Sequence, residues 1–383
     1  MALNKKRPLK HGLDYYFLFT LMALVVFGIL MVFSASSIQA MTSVKDPYYF
    51  MKKQLISASL GLLAMYVAYR VDYFHLRRYA GLAIPLCLIL LIAVLFTQEV
   101  KGAQSWIQLG SFNFQPSELA KLGVVLLMAK FLTLRDNRQE ALKQGIWPAL
   151  GVLGVTGFLI LLQGDFGSTA VLMGVGVVML FISGFRLIYL GGLCLMGLGA
   201  ATFYIFEEGK EYRIDRFLAF MNPAVDSQGV GWQITNSLYA IGSGGLAGLG
   251  LGQSKQKFGW LPERHNDFIF SIIAEELGFI GAVLLITLFA ILIFRGYRIA
   301  LKAPDTFSSL LAAGITSIIM VEALINIAVV TGIMPVTGIT LPFISYGGSS
   351  LIFKLLGMGV LLNISCYTKR NTKHRLPGKG LNI

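Results

Sequence analysis

One carboxylate, Asp267, stands where a polar segment of the sequence runs directly into a long apolar one. The polar segment reads Trp260-Leu-Pro-Glu-Arg-His-Asn, and Asp267 is followed by Phe-Ile-Phe. A helix that begins near Asp267 places this side chain beside unpaired backbone N–H groups and the positive end of the helix dipole. A carboxylate in that position is available as a general base or as a cation ligand. The alternative is a helix cap without a chemical role.

Further polar residues follow at helical spacing. Ser271 and Glu275 fall on the same helical face as Asp267, and Glu263 precedes all three in the polar segment. The sequence therefore predicts a polar stripe that enters an apolar layer. Ionisable groups inside membranes are costly, which favours a functional role for this stripe. The alternative is that Glu275 or Glu276 only pairs with a neighbouring helix.

A first cluster of polar residues lies at the start of another apolar run. Pro116 is suited to a first helical turn, and Glu118 and Lys121 are three residues apart, hence neighbours on one helical face. Gln115 and Ser117 complete this cluster. Its alternative interpretation is a mutual ion pair in which Lys121 extends towards water.

Two more clusters interrupt the apolar pattern. The second is Asp165, in a tight turn between two apolar runs, where a turn-stabilising role is the favoured interpretation. The third is a segment rich in hydroxyl groups and glycine over 335–350, which includes Ser345 and Tyr346 and has Lys354 one turn further on. Backbone N–H groups at a helix start bind anionic groups, and Lys354 would assist. Glu322 and Asn326 share a face, and helix–helix hydrogen bonding is their favoured role.

These clusters predict one polar cavity with apolar walls, which suits an amphiphile with a lipid tail and an anionic head. Its candidate cations are Lys121, Arg213, Arg216 and Lys354. In glycosyl transfer from a lipid pyrophosphate, a carboxylate takes the proton of the attacking sugar hydroxyl, and cations offset the charge of the departing pyrophosphate. Asp267 would be the base, and the cations would form the clamp.

The elements that must position these residues are transmembrane helices. The chain has 383 residues, of which 56% are hydrophobic and 13% charged, with a mean hydropathy of +0.71, far from the roughly one quarter charged residues of soluble proteins. We predict an all-α polytopic membrane protein with a single domain. Apolar runs long enough to cross a bilayer lie at 15–36, 52–70, 79–97, 116–132, 147–163, 168–185, 187–206, 268–294, 307–331 and 345–367.

The basic residues predict the orientation of these ten spans. Lysine and arginine concentrate in the N-terminal tail, in alternate connections and in the C-terminal tail, which the positive-inside rule places in the cytoplasm. Residues 1–14 are then a cytoplasmic tail, 207–266 a long extracellular loop and 368–383 a basic cytoplasmic tail. The formal charge of +13 fits this topology rather than nucleic-acid binding. All the clusters lie towards the outer surface.

No cofactor motif is present. The sequence has neither a Gly-Lys-Ser/Thr nucleotide motif nor a dinucleotide fingerprint, which argues against an ATP-driven pump. The three cysteines, Cys87, Cys194 and Cys366, show no metal-ligand spacing. We therefore predict no metal site from protein residues and leave a divalent cation such as Mg²⁺ open. Within the long loop, Gln233 to Ala247 is typical of a short amphipathic or re-entrant helix.

At the Asp267 motif and at the polar clusters, the chain resembles the SEDS family (shape, elongation, division and sporulation). Members of this family are membrane glycosyltransferases that polymerise lipid II into peptidoglycan. The similar segments cover nearly the whole chain, and the family's essential aspartate in Leu-Pro-Glu-x-His-x-Asp-Phe-Ile-Phe corresponds to Asp267. Asn266 stands where threonine is commoner, and Gly164 replaces a usual proline. The segments are Phe33–Ser37, Trp106–Ile107, Phe114–Lys121, Gln163–Ser168, Tyr212–Pro223, Leu261–Gly278 and Leu341–Ser350.

The resemblance implies a substrate, a site and partners. The substrate is lipid II, and the implied site comprises Asp267 as catalytic residue with Glu263, Lys121, Glu118, Gln115, Ser117, Arg213, Arg216, Ser345, Tyr346 and Lys354 around the substrate. The partner is a class B penicillin-binding protein, a transpeptidase whose membrane helix packs near the eighth and ninth spans, besides other division or sporulation membrane proteins. The amino-acid sequences of the motifs are closer to those of the FtsW and SpoVE branch than to those of the RodA branch. The alternatives are a lipid II flippase and a non-catalytic scaffold.

Overall fold

The computed structural model describes residues 12–99, 103–110, 112–133, 145–205, 217–223 and 229–368. This part of the chain is almost entirely helical, as the composition predicts. Its helices are α1 (Tyr15–Val44), α2 (Tyr49–Arg70), α3 (Tyr73–Val94), α4 (Pro116–Leu132), α5 (Trp147–Leu162), α6 (Phe166–Ile182), α7 (Leu187–Ile205), α8 (Val230–Ser243), α9 (Ile269–Leu301), α10 (Thr306–Val330) and α11 (Gly348–Ser365).

Each of the ten predicted spans coincides with a helix, and the predicted long loop contributes α8 and a short 3-10 helix at Gln256–Phe258. Five of them, α1, α3, α9, α10 and α11, are long and apolar enough to cross a membrane on their own. Shorter apolar helices lie at Trp147–Leu162, Phe166–Ile182 and Leu187–Gly197. Helices α2 and α4 carry charged residues and pack against the apolar helices. The fold is that of a polytopic membrane protein.

Close helix packing depends on a few glycines. A Cβ at Gly61 of α2 would press into Leu355 of α11, and one at Gly359 of α11 would overlap the backbone carbonyl of Met65. Helices α2 and α11 therefore lie against each other along most of their length. Small residues at an interface let helix backbones approach in this way. This pairing fixes the start of α11, where the third predicted cluster lies.

The helices have two ends, which we call the Asp267 end and the Asp305 end after a residue at each. At the Asp305 end, the Tyr73 hydroxyl donates to Asp305 at 2.6 Å. Asn363 of α11 donates to the carbonyl of Tyr69 at 2.7 Å and accepts from the amide of Tyr73 at 3.1 Å. These contacts join α2, α3 and α11 to the N-cap of α10, at the opposite end from Asp267.

Three features of the fold differ from the sequence-based description. A two-stranded antiparallel hairpin, β1 (Ile107–Leu109) and β2 (Phe112–Phe114), precedes α4. The predicted helix over 233–247 begins and ends earlier, at Val230 and Ser243. The eighth span is broken at Gly278, whose φ of 67° and ψ of −167° are not helical. The break shapes the region around Asp267.

Candidate functional site

Asp267 lies in a tight turn and does not cap the helix that follows. Helix α9 begins at Ile269, with Phe268 at the N-cap position and no acidic residue in the first turn. The turn is organised by Glu263, which has a φ of 50°. Its carbonyl accepts from the amides of Asn266 at 3.0 Å and Phe268 at 3.4 Å, and its carboxylate accepts from the Asn266 side chain at 2.6 Å. Glu263 therefore shapes the turn that presents Asp267.

Asp267 is half-buried, whereas its neighbour Phe268 is fully buried. The buried ring anchors the turn in the helical bundle. Its Oδ2 atom lies over Gly338, where an added Cβ would be 3.9 Å away. Asp267 thus sits at the boundary between the packed helices and the 331–347 segment that connects α10 to α11.

The predicted polar stripe of α9 does not line a cavity. Ser271 is buried and lies 2.7 Å from the hydroxyl of Ser237, which donates to the carbonyl of Val330. Glu275 accepts from the Ser254 hydroxyl and from the backbone amide of Lys255 at 2.9 Å. These groups fasten α8 and the 252–257 segment to α9. The alternative interpretation of Glu275, pairing with a neighbouring helix, has the right kind of contact but not the right partner, because Glu275 binds the 252–257 segment.

Glu276, beside this stripe, is also fully buried. It accepts from the hydroxyl of Ser34 at 2.6 and 2.8 Å and from the ammonium of Lys257 at 3.1 Å. Glu276 therefore joins α1 and the 252–257 segment to the first half of α9.

The break at Gly278 is closed by the glycine-rich segment 244–250. The carbonyls of Glu275 and Glu276 accept from the amides of Leu249 and Gly250 at 3.0 and 2.9 Å. The amides of Phe279 and Ile280 donate to the carbonyls of residues 245 and 246 at 2.9 and 3.1 Å. Non-helical backbone is tolerated in a membrane protein only where such groups are satisfied. The dense glycine therefore serves close backbone packing, and the four bonds hold the part of α9 that follows Asp267.

The part of the third predicted cluster over 341–345 is buried and packs against α1, at Gly28, and against α2. Gln54 of α2 donates to the carbonyl of Ser345 at 3.1 Å and accepts from the amide of Gly347 at 3.4 Å. The amide of Tyr346 donates to the carbonyl of His265 at 2.9 Å, which ties this loop to the Asp267 turn. The Tyr346 and His265 rings lie 5.6 Å apart. Tyr346 therefore contacts the Asp267 turn directly, and Ser345 precedes it in the chain.

The first and second clusters meet at the same end. The side chain of Gln115 donates to Asp165 at 3.0 Å, and its backbone amide donates to the Ser349 hydroxyl at 3.3 Å. Ser117 donates to Ser168 at 3.5 Å. Asp165 is the N-cap of α6 and accepts from the amide of Ser168 at 2.8 Å, in keeping with the favoured turn-stabilising role. The structure thus brings all three clusters and Asp267 to one end of the bundle.

Glu118 and Lys121 belong to a buried, charge-balanced cluster of four residues, which we call the charge cluster. Lys121 pairs with Glu118 at 3.0 Å and also with Glu322 of α10. Lys354 of α11 pairs with Glu322 at 3.0 Å and donates to Ser350. The four side chains are at most 7% exposed. The two ammonium groups are matched by two carboxylates, so neither lysine is a spare cation in this structure.

A small cavity touches the charge cluster. Its volume is about 10 Å³, and Glu118, Lys121 and Lys354 lie in its wall together with apolar side chains of α10 and α11. This is room for about one water molecule. The cavity is too small for a sugar or a pyrophosphate. A role for Lys121, Glu118 and Lys354 in substrate binding stays a prediction that requires the ion pairs to open.

Arg264 is the cation next to the Asp267 turn in the sequence. Burial lowers the pKa of its guanidinium, which donates to the carbonyl of Ala35 at 3.3 Å. Arg213 and Arg216, the other predicted cations, lie outside the described residues.

In the described part of the chain, no group of three or more His, Cys, Asp or Glu side chains is placed to hold a metal ion. Whether the activity requires a divalent cation such as Mg²⁺ stays open, as it does from the sequence.

The sequence did not assign Asn326 to the site. Its amide nitrogen donates to the carbonyl of Asp267 at 2.7 Å and to the carbonyl of Ile339 at 2.8 Å. The favoured interpretation, hydrogen bonding between helices, has the right chemistry but the wrong partners, because both acceptors lie in connecting segments. Only the position of Asn326 one turn after Glu322 signalled it in the sequence.

Comparisons with known proteins give one family over nearly the whole chain. The family model for FtsW, RodA and SpoVE, described as cell cycle protein, matches residues 15–370. The chain is 45% identical over 349 residues to stage V sporulation protein E of Bacillus subtilis (strain 168). This match covers 90% of this chain and 95% of that protein. It is 44% identical over 359 residues to the probable peptidoglycan glycosyltransferase FtsW of Trichlorobacter lovleyi, with 93% and 94% of the two chains covered.

Solved structures share the fold. A chain from a structure described as "structural coordination of polymerization and crosslinking by a peptidoglycan synthase complex" has a TM-score of 0.77 and 32% identity, covering 92% of this chain and 98% of that one. The rod shape determining protein RodA of Thermus thermophilus has a TM-score of 0.70 and 30% identity, covering 94% and 99%.

Proposed function

This chain belongs to the FtsW, RodA and SpoVE family of cell cycle proteins, and we propose that it polymerises lipid II at the outer face of the cytoplasmic membrane with Asp267 as general base. It is a multi-pass membrane peptidoglycan glycosyltransferase, because relatives with that name are similar to it over most of its length. The expected fold, family and enzyme class are confirmed. The roles of individual residues are the proposal.

A single observation carries the mechanism: the half-buried carboxylate of Asp267 is presented by a turn that α10 and the 331–347 segment both hold. In the proposed step, the carboxylate accepts the proton of a sugar hydroxyl. The hydroxyl oxygen bonds to the anomeric carbon of a second substrate molecule, and the bond from that carbon to the lipid pyrophosphate breaks. A base of this kind contributes about 10²–10⁴-fold to a rate.

Cations must offset the charge of the departing pyrophosphate. Lys121 and Lys354 already balance Glu118 and Glu322, so they contribute only where the pairs rearrange on substrate binding. We therefore assign the main clamp role to Arg213 and Arg216, which the sequence places in the long loop before the Asp267 turn. Gln115, Ser117, Glu263, Ser345 and Tyr346 surround the proposed site as positioning or binding groups.

Topology and partners complete the proposal. Both termini lie in the cytoplasm, which places the Asp267 end outside, where the pyrophosphate-linked sugar is polymerised. Similarity to a chain of a peptidoglycan synthase complex supports partnership with a penicillin-binding protein. We propose a class B transpeptidase that packs its membrane helix against α9 and α10. The biological context is septal or sporulation wall synthesis, given the similarity to FtsW and stage V sporulation protein E.

The experiment is polymerisation of purified lipid II by the wild-type chain and by Asp267→Ala, each reconstituted with the partner. The expected result is loss of glycan chains in the variant with unchanged thermal stability. Asp46→Ala is the matched control, because Asp46 is a carboxylate at the same end of the bundle that lies in the connection between α1 and α2 and pairs with Lys52 at 2.7 Å. Polymerisation by Asp267→Ala at the wild-type rate would exclude the base.

The same preparations separate the alternatives. A flippase moves labelled lipid II across vesicles without forming chains, and a scaffold leaves the partner's activity unchanged when Asp267 is replaced. Among the described residues, the charge cluster lies within two turns of the Asp267 end. The hydroxyls further along α10, such as those of Thr316 and Ser317, donate to backbone carbonyls at 2.8 and 2.7 Å. Charged groups near one end, with hydroxyls bonded to their own helix further along, favour a site at that end over a polar transport path through the bundle.

A further inference from the structure

Asn326 has an unusual pair of acceptors. It is 1% exposed in α10, and its one amide nitrogen uses both hydrogens, on the carbonyls of Asp267 and Ile339. Carbonyl oxygens only accept hydrogen bonds, so the nitrogen and not the oxygen of the side chain must face them. The orientation of the amide is therefore fixed by its surroundings.

The two acceptors belong to the two segments that meet at the proposed base. Asp267 is in the turn before α9, and Ile339 directly follows Gly338, the residue under the Asp267 carboxylate. Asn326, which is part of helix α10, thus binds two stretches of backbone: that of Asp267 and that of the segment under the Asp267 side chain. Since Asp267 precedes the first residue of α9, the ladder of helical hydrogen bonds does not fix it.

The remaining atom of the side chain supports this assignment. The Oδ1 atom of Asn326 is buried and accepts no hydrogen bond from the described residues. A buried acceptor without a donor costs about 1–3 kcal/mol. A residue selected only for packing would be replaced by an apolar one of similar size at little cost, whereas a residue that must donate twice retains the unsatisfied oxygen.

We propose that Asn326 is a positioning residue for catalysis: it fixes the Asp267 carboxylate over Gly338 by holding the carbonyls of Asp267 and Ile339. This inference rests on the proposed role of Asp267 as the base. A small misplacement of a catalytic group lowers the rate of the chemical step by up to about 10²-fold, while contacts to the rest of the substrate persist. Loss of Asn326 should therefore lower kcat far more than it weakens lipid II binding.

Two variants of Asn326 test the proposal. Asn326→Asp keeps the size and shape of the side chain but puts an oxygen where the double donor was, and Asn326→Ala removes the group. We expect both to lower kcat for lipid II polymerisation by roughly ten- to a hundredfold, with the Kd for lipid II little changed.

The matched control is Asn363→Ala. Asn363 is an equally buried asparagine that donates to the carbonyl of Tyr69 at 2.7 Å, but it lies at the Asp305 end. We expect it to lower the melting temperature about as much as Asn326→Ala while leaving kcat at the wild-type value. If Asn326→Ala does not yield folded protein, the comparison is made with Asn326→Asp.

The outcomes separate this inference from the proposed function. If Asp267→Asn is inactive and both Asn326 variants polymerise at the wild-type kcat, the positioning role is wrong and the base stands. If the Asn326 variants lose affinity for lipid II as strongly as kcat, or if Asn363→Ala loses the same activity, the role is structural and the inference is overturned. If Asp267→Asn itself polymerises normally, the proposed function fails first.

Discussion

Replacing Lys354 with methionine is expected to destabilise the fold strongly, because it removes one of the two cations of the charge cluster. Methionine keeps the length of the side chain without the charge. Glu118 and Glu322 would then share Lys121 as their partner in the cluster, and one buried negative charge would be left uncompensated. Breaking a buried ion pair by removing one partner costs about 3–5 kcal/mol. We expect a loss of that size in the free energy of unfolding.

A second substitution tests the charge balance itself. Adding Glu322→Gln to Lys354→Met leaves the Lys121–Glu118 pair at 3.0 Å, which is neutral as a unit. We expect the double variant to recover most of the loss, so that it is more stable than either single variant. The coupling between the two substitutions should lie at or above the upper end of the usual range of about 0.5–3 kcal/mol.

The assay is chemical denaturation of the purified protein in mixed micelles, followed by tryptophan fluorescence. Lys52→Met is the control, because Lys52 is 62% exposed in its pair with Asp46 and exposed pairs contribute about 0–1 kcal/mol. The reasoning is refuted if Lys354→Met loses no more than Lys52→Met, or if the double variant loses the sum of the two single losses. A double variant that folds normally but no longer binds lipid II would instead identify Lys354 as a substrate ligand.

The remaining predictions concern the break in α9 and metal ions. Gly278→Ala is expected to cost about 3 kcal/mol or more in the free energy of unfolding, because φ/ψ strain of about 1–3 kcal/mol adds to the clash of the new Cβ with the backbone of Gly248. Gly154→Ala, where open space surrounds the helix, should be neutral or slightly stabilising, and equal effects of the two substitutions in thermal unfolding would contradict the closure of the break. Chelation with EDTA should leave the melting temperature unchanged, since no group of three or more metal-binding side chains lies close together in the described part of the chain, while the polymerisation rate with and without Mg²⁺ tests the open question of a catalytic cation.

Much of the architecture follows from the sequence because hydrophobic length and helical period are local properties. Every predicted span coincides with a helix, and the amphipathic helix in the long loop appears within a few residues of its predicted position. The family resemblance is confirmed by the comparisons, which match residues 15–370. Convergence of the three polar clusters at one end also follows, since alternating spans place alternate connections on the same side.

The interactions that position the site depend on distant pairs, and the sequence did not reveal them. The pairing of Glu322 with Lys121 and Lys354 joins three helices, and the sequence shows only the Glu118–Lys121 spacing. Likewise the sequence did not reveal that the glycine-rich segment 244–250 closes a break at Gly278. A single sequence contains local periodicity and lacks the contacts that tertiary packing creates.

The expected helix cap at Asp267 illustrates the same limit. A carboxylate before an apolar run is typical of a cap, yet α9 begins at Ile269 with Phe268 at the N-cap. The turn that Glu263 organises and the hydrogen bond from Asn326 hold Asp267 just outside the helix. Tertiary contacts therefore override the local capping preference, and they leave the carboxylate half-buried.

The central claim is tested most directly by glycan chain growth from purified lipid II with Asp267→Asn, which keeps the shape of the side chain and removes its basicity. The enzyme is reconstituted with a partner whose transpeptidase is inactivated, so that the products remain uncrosslinked and are separated by length. The account predicts no chains from the variant, with lipid II binding and melting temperature as in the wild type. Chains of normal length formed at the wild-type rate would contradict it.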